Sequence, residues 1–239
     1  MCLPDPLGEP ILGEDPTGTD DARPGGLPRR LLLRGGVLTG AFAVAAGAQL
    51  WRPAAALAVA QPTIHSTSEW GAEPPRGTIQ ILDPRPTKIV VHYTAGSNSN
   101  DLSLAHAFQV ARNIQQAHFA RGFIDSGQQF TISRGGHIMT GRHHSKTELV
   151  QGADHVLGAH CTGQNEESVG IENEGTYTSV QILDGHYNKL VKMCAYICQQ
   201  YGIAPGRIFG HRDFVATECP GDRLYARLPR LRDDVRALL

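Results

Sequence analysis

The stretch that most restricts how this chain can fold is Gly210-His211-Arg212-Asp213-Phe214-Val215-Ala216-Thr217-Glu218-Cys219-Pro220-Gly221. It sets a histidine and a cysteine eight positions apart on a loop that ends at Pro-Gly. Imidazole nitrogen and thiolate sulfur are ligands that zinc favours, and a catalytic zinc takes three protein ligands and leaves the fourth position to water. A His-x7-Cys pair alone is common in loops. It gains weight from a second piece far upstream, Ile89-Val90-Val91-His92-Tyr93-Thr94-Ala95-Gly96, where a histidine ends an apolar β-type run and small polar residues follow. The expectation is a chain built to bring His92, His211 and Cys219 around one zinc ion.

The first sixty residues do not read as part of that fold. Residues 1–28 are rich in Pro, Gly and Asp and poor in large apolar side chains. Arg29-Arg30-Leu31-Leu32-Leu33-Arg34 follows, then an almost uncharged run over 35–50 and an Ala-rich piece ending Ala58-Val59-Ala60-Gln61. A charged n-region, an apolar h-region and an Ala-x-Ala site make a secretory signal of twin-arginine type. Cleavage is expected after Ala60, with Ala58 as the alternative. A membrane anchor is the rival reading, but the apolar run is short and Gly-rich for a span of about twenty residues. Twin-arginine export carries folded proteins, which suits a site that takes its metal before leaving the cell.

Removing residues 1–60 leaves 179 of 239 (239 − 60), the size of one domain. A net charge of −1 and the lack of a basic run give no argument for nucleic acid. No internal repeat or second linker is visible, hence no separate wall-binding module. The mature chain is expected to be a monomer with no stable membrane insertion. Cys2 leaves with the leader, while Cys161, Cys194, Cys198 and Cys219 stay. Cys194 and Cys198 lie one helical turn apart as two small buried thiols; a bridge from Cys161 to one of them is the alternative in an exported chain.

The remainder alternates strands and helices. Residues 88–94 form a continuous apolar, β-branched run, the pattern of a central strand. Residues 102–119 carry helical spacing with Asp101 as N-cap. Residues 129–133 and 137–140, joined by Arg134-Gly135-Gly136, read as a hairpin. Strands are predicted over 156–159, 168–172 and 208–209. Helices are predicted over 188–201, stopped by Gly202, and over 223–238. This is an α/β (mixed α+β) domain with a central mixed sheet flanked by helices.

These pieces carry a resemblance. Ser68-Glu69-Trp70-Gly71-Ala72, Val91-His92-Tyr93-Thr94, Gly127-Gln128-Gln129-Phe130-Thr131-Ile132, Gly158-Ala159-His160 with Gly163-Gln164-Asn165, Ser168-Val169-Gly170-Ile171-Glu172, and the 210–221 stretch occur in this order. In that order the chain resembles the type 2 N-acetylmuramoyl-L-alanine amidases and the peptidoglycan recognition proteins of the same fold, over nearly all of 65–239. The resemblance implies zinc held by His92, His211 and Cys219. It implies cleavage of the bond between N-acetylmuramic acid and the L-alanine of the stem peptide, with peptidoglycan as the partner, in the cell envelope or outside the cell.

Amide hydrolysis needs a base that takes the water proton and returns it to the leaving amine. Glu172 is the candidate: it stands at the end of a buried-looking strand, and related amidases carry a glutamate there. Glu174 is the competitor if the strand continues. Other members use a tyrosine two residues before the Phe of the hairpin strand, where this chain has Gln128, which takes no proton. Either Glu172 has the role alone, or catalysis is lost and the protein only binds. Thr217 falls where the family has lysine or threonine. Its hydroxyl either helps hold the developing oxyanion, a role worth about 2–4 kcal/mol in a preorganised site, or satisfies loop backbone.

The other histidines are expected to be ordinary. His160 is read as lining the cleft rather than as a ligand, and His143 and His144 as neighbours on a surface loop, pointing apart. His106 and His118 are placed on the solvent side or flank of the first helix. His65, His137, His155 and His186 are taken as surface or strand-end residues. Trp70 is expected to be a packing anchor rather than a sugar platform. Asp213 either orients a ligand histidine or caps the loop backbone.

Overall fold

The computed structural model describes residues 58–239; the twin arginine, the apolar run after it and Cys2 lie outside them. In chain order the elements are β1 (Ile64–His65), α1 (Thr67–Trp70), β2 (Ile81–Leu82), β3 (Lys88–Tyr93), α2 (Leu104–Phe119), β4 (Phe130–Ile132), β5 (Ile138–Thr140), α3 (Ser145–Gln151), β6 (His155–Val156), β7 (Ser168–Asn173), α4 (Asp184–Tyr201), β8 (Ile208–Gly210), α5 (Asp222–Tyr225) and α6 (Leu228–Arg236). Six strands make a sheet in the order β1-β5-β4-β7-β3-β8, and β2 pairs with β6 apart from it. The sheet is mixed: only the β4–β5 hairpin is antiparallel. The mixed α/β class expected from the sequence is the one observed.

Period-two alternation sorts the central strands. Ile89, Val91 and Tyr93 of β3 and Val169 and Ile171 of β7 belong to the main core with Leu190, Met193 and Ile197 of α4. His92 and Glu172 therefore point to the opposite side. Cys194 and Cys198 lie in the α4 core as buried thiols, and Cys161 is also a buried free thiol, so the alternative bridge is not formed. Burial pushes Cys161 and Cys198 up to about 12.

Several boundaries differ from the sequence reading. The N-cap of α2 is Ser103, whose hydroxyl accepts from His106 N, while Asp101 Oδ1 accepts from Ser103 N one step earlier. Of the predicted 156–159 strand only Val156 pairs; with His155 it forms β6, which joins the small sheet with β2. Beyond it the Ala159 N–H donates to Gly127 O, which draws the chain toward the site. The single helix expected over 223–238 is two, because Pro229 lacks an N–H and fits only the first turn of a helix. α4 starts at Asp184, earlier than predicted, and Gly202 ends it with its N–H on Cys198 O.

Trp70 is 1% exposed, packs with Ala107, Ala111 and Met139, and donates its indole N–H to Thr140 O at 2.8 Å. Trp70→Ala should cost about 3–5 kcal/mol in urea unfolding. Trp70→Phe should cost about 1 kcal/mol, the single hydrogen bond. A Trp70→Ala protein of unchanged stability would contradict the anchor assignment.

Candidate metal and catalytic site

The site begins with strand register. β3 and β7 run parallel with His92 opposite Glu172, and β4 places Thr131 opposite Glu172 on the other side. Directly paired residues point to the same face, so Thr131, Glu172 and His92 form one row. β8 lies beside β3 and continues into a short 3-10 turn, His211–Asp213, that carries His211 to the same end of the sheet. The rings of His92 and His211 lie 4.5 Å apart.

The following loop returns to this point. The Arg212 N–H donates to Cys219 O at 3.0 Å, and the Gly210 N–H donates to Asp213 Oδ2 at 2.9 Å. Asp213 thus caps the loop backbone. Gly221 closes the loop at φ +87°, and a Cβ there would lie 2.6 Å from the Tyr177 carbonyl oxygen, so the position requires glycine. Cys219 Sγ ends 3.6 Å from His92 Nδ1 and accepts the Tyr93 N–H at 3.4 Å. The ligand atoms of His92, His211 and Cys219 all lie within 4.8 Å of one another, and all three residues are buried. Two imidazoles and a sulfur converging in this way could hold a metal ion. Burial, reinforced by the imidazoles of His160 and His211, holds His92 well below the ordinary histidine range, hence neutral as a ligand must be.

Glu172 lines the same cavity and is 5% exposed. Its Oε2 has no hydrogen-bond partner among the described residues, and burial pushes the carboxyl up to about 7. The competitor Glu174 is occupied elsewhere: Oε1 accepts from His106 Nε2 and Oε2 from Arg134 N, both at 2.7 Å. Thr217 is half-buried on the loop, and its Oγ1 accepts from Cys219 N at 3.3 Å. Gln128 lines the cavity and donates its amide to Thr131 Oγ1 at 2.8 Å.

Several residues read as ordinary from the sequence are placed otherwise. His118, expected at the solvent side or flank of α2, is buried and lines the cavity with Arg121 and Phe123; its Nδ1 accepts the Gly127 N–H at 3.1 Å. Burial lowers His118 to about 4. No spacing or motif marked these residues, because they gather where α2 ends and the chain turns. His160 lines the cavity as expected, and its Nδ1 also sits 3.0 Å from His92 Nε2. His186 is not a surface residue: it is fully buried between Tyr177 OH at 3.2 Å and Asn173 Oδ1 at 3.0 Å. Burial lowers His186 to about 3, so the ring is neutral and its single N–H donates to one of these two oxygens, both of which are acceptors because the Tyr177 hydroxyl proton goes to Glu174 O. His155 is likewise buried, with its Nδ1 on Pro84 O. His143 reaches back to the buried Asp125 at 2.8 Å while His144 stays exposed, so the adjacent pair does point apart.

A mixed sheet that sets two histidines and a cysteine beside a buried carboxylate defines a candidate metal-dependent hydrolase. The family follows from comparison. A family model described as N-acetylmuramoyl-L-alanine amidase matches residues 82–222, and the chain belongs to that family. It is 31% identical over 177 residues to peptidoglycan-recognition protein LB of Drosophila melanogaster, covering 71% of this chain and 69% of that one. It is 26% identical to the N-acetylmuramoyl-L-alanine amidase of Homo sapiens over 69% of this chain and only 27% of that longer protein. Among solved structures, peptidoglycan recognition protein LE in complex with tracheal cytotoxin, a monomeric diaminopimelic acid-type peptidoglycan, superposes with TM-score 0.60 at 27% identity, over 70% of this chain and 92% of that one.

The raised carboxyl of Glu172 is a stability statement. Its folded pKa of about 7 lies above the unfolded 4.5, so its penalty is absent below pH 4.5 and complete above about pH 7. Glu172→Gln should therefore raise the unfolding free energy of the metal-free protein at pH 8 by about 3 kcal/mol, seen as a higher melting temperature, and the gain should vanish by pH 4. No gain at pH 8 would show that the carboxylate is compensated in the folded chain.

Proposed function

We propose that residues 61–239 form a zinc-dependent amidase that hydrolyses the bond between N-acetylmuramic acid and the L-alanine of the peptidoglycan stem peptide. The observation that carries this reading is the row in which Glu172, buried and with one oxygen unpartnered, lies directly beside His92. The donor set fits zinc: with bonds of about 2.3 Å to sulfur and 2.0 Å to nitrogen in tetrahedral geometry, ligand atoms stand about 3.5 Å apart. The His92 Nδ1 to Cys219 Sγ separation is 3.6 Å. Held by His92, His211 and Cys219, zinc supplies Lewis acidity, polarising an amide carbonyl and lowering the pKa of water.

The chain's own groups do the rest. Glu172 takes the proton of the attacking water and returns it to the leaving amine. A carboxyl raised toward neutrality suits both halves of that task. Thr217 accepts Cys219 N with a lone pair and keeps its own proton to donate to the carbonyl oxygen. Gln128 stands where other members carry a tyrosine and takes no proton, which leaves Glu172 with the role. The complexed peptidoglycan fragment of the related recognition protein supports peptidoglycan as the ligand. The Arg29-Arg30 leader supports twin-arginine export to the envelope or beyond, and the mature protein acts as a monomer. No helix among the described residues is long and apolar enough to cross a membrane.

A second reading, peptidoglycan binding without catalysis, is favoured by Gln128 and by the likeness to recognition proteins. Binding does not require a buried carboxylate beside three metal donors. Cys219→Ser should abolish both zinc content and wall cleavage, whereas Glu172→Ala should retain zinc and lose at least about a hundredfold in kcat. Zinc analysis with turnover on purified peptidoglycan separates the two, and a fully active Glu172→Ala protein would remove Glu172 as the base.

A further inference from the structure

His160 lies in a slot cut for it. Gly170 is two residues before Glu172 on β7 and shares its face, in register with Val90 of β3. A Cβ at Gly170 would fall 2.6 Å from both Cγ and Cδ2 of the His160 ring, and one at Gly158 would fall 2.6 Å from Cδ2. Two positions far from each other in sequence thus leave out a side chain to admit one imidazole. The backbone N–H groups of His160 and Cys161 both donate to Asn165 Oδ1, at 2.8 and 2.9 Å, which holds the turn that carries the ring. The ring stands edge-on to His92, with centroids 5.0 Å apart and an interplanar angle of 80°.

Hydrogen-bond direction then runs one way. Ser168 Oγ donates its only proton to Gln164 O at 2.6 Å. At its 3.5 Å contact with His160 Nε2 the serine oxygen therefore accepts, and Nε2 carries the imidazole proton. His160 Nδ1 is then an acceptor, and at 3.0 Å it takes the proton of His92 Nε2. That leaves the lone pair of His92 on Nδ1, the atom facing Cys219 Sγ. We propose that His160 is a positioning residue which fixes the tautomer and ring plane of His92, presenting Nδ1 to the metal, through a chain that ends on the Gln164 carbonyl. The imidazole occupies the place that a carboxylate or backbone carbonyl commonly takes beside a ligand histidine. The inference rests on His92 being a metal ligand, as proposed above.

The test compares the full chain with its His160→Leu and His160→Asn variants, reading zinc affinity by chelator competition and the visible absorption bands of the Co2+-loaded protein. Leucine fills the slot without an acceptor, whereas the asparagine Oδ1 can fall near the Nδ1 position. The expected result is a loss of about 10–100-fold in zinc affinity for His160→Leu, with shifted Co2+ bands, and recovery of both in His160→Asn. Wild-type affinity in His160→Leu, or a His160→Asn protein no better than the leucine variant, would overturn the inference, since a slot that merely needed filling would favour leucine. Should His160→Leu not fold, the asparagine protein decides alone: wild-type Co2+ bands support the assignment and altered bands refute it. Neither readout uses substrate, so a wild-type chain inactive on peptidoglycan would sink the amidase reading only. A wild-type chain that binds no zinc would sink both.

Discussion

The parallel pairing of β3 with β7, from Lys88 opposite Ser168 to Tyr93 opposite Asn173, is the constraint on which the other features depend. A slip of one residue would turn His92 or Glu172 into the core and separate the metal donors from the carboxylate. The register is held at both ends. At the site end the Asn173 amide donates to His92 O at 2.9 Å and the Thr94 N–H to Asn173 O at 3.0 Å. At the other end Lys88 Nζ bonds Gln164 Oε1 at 2.6 Å and Glu167 Oε1 at 2.5 Å. Between them the alternation of Ile89, Val91 and Tyr93 with Val90 and His92 commits one face to α4 and leaves the other for chemistry.

That division explains why the site is costly to the fold. The site face carries a buried carboxyl with an oxygen lacking a hydrogen bond among the described residues, and imidazoles kept neutral by burial. Such groups persist where function selects them and the surrounding packing compensates. The compensation here is the α4 core, which packs Leu190, Met193 and Ile197 against the apolar face of β3 and β7. The loop from Gly210 to Gly221 adds no comparable core of its own. It is held by backbone bonds, by Asp213 Oδ2 accepting from Gly210 N, by the Arg212–Asp222 ion pair at 2.7 Å, and by Gly221, where a side chain would meet the Tyr177 backbone.

The parts legible in the sequence were those whose chemistry is local. The run into His92, the hairpin around Gly135-Gly136, and the His211–Cys219 loop each carry their signal within about a dozen residues, and the structure brings those three donors together. The cavity position of Glu172 was legible because a carboxylate ending an apolar strand is out of place, whereas the engagement of Glu174 by His106 and Arg134 shows only in the fold. His160 showed its cavity position but not its contact with His92, because the slot depends on glycines at 158 and 170 that meet only in the folded sheet. His118 and His186 were misplaced for a related reason: hydrophobic periodicity cannot see a histidine whose burial rests on distant hydrogen-bond partners. The division of 223–238 falls just before Pro229, a residue that fits the first turn of a helix and not its interior.

What separates an amidase from a recognition protein of the same fold is whether Glu172 and the donor set act together on the muramyl amide. The direct measurement is digestion of purified peptidoglycan by the chain from Gln61 onward, with and without a zinc chelator, following new amino termini and new reducing sugar ends in the same samples. The account predicts chelator-sensitive release of L-alanine amino termini with no new reducing ends. Tight association with the wall and no new amino termini would contradict it.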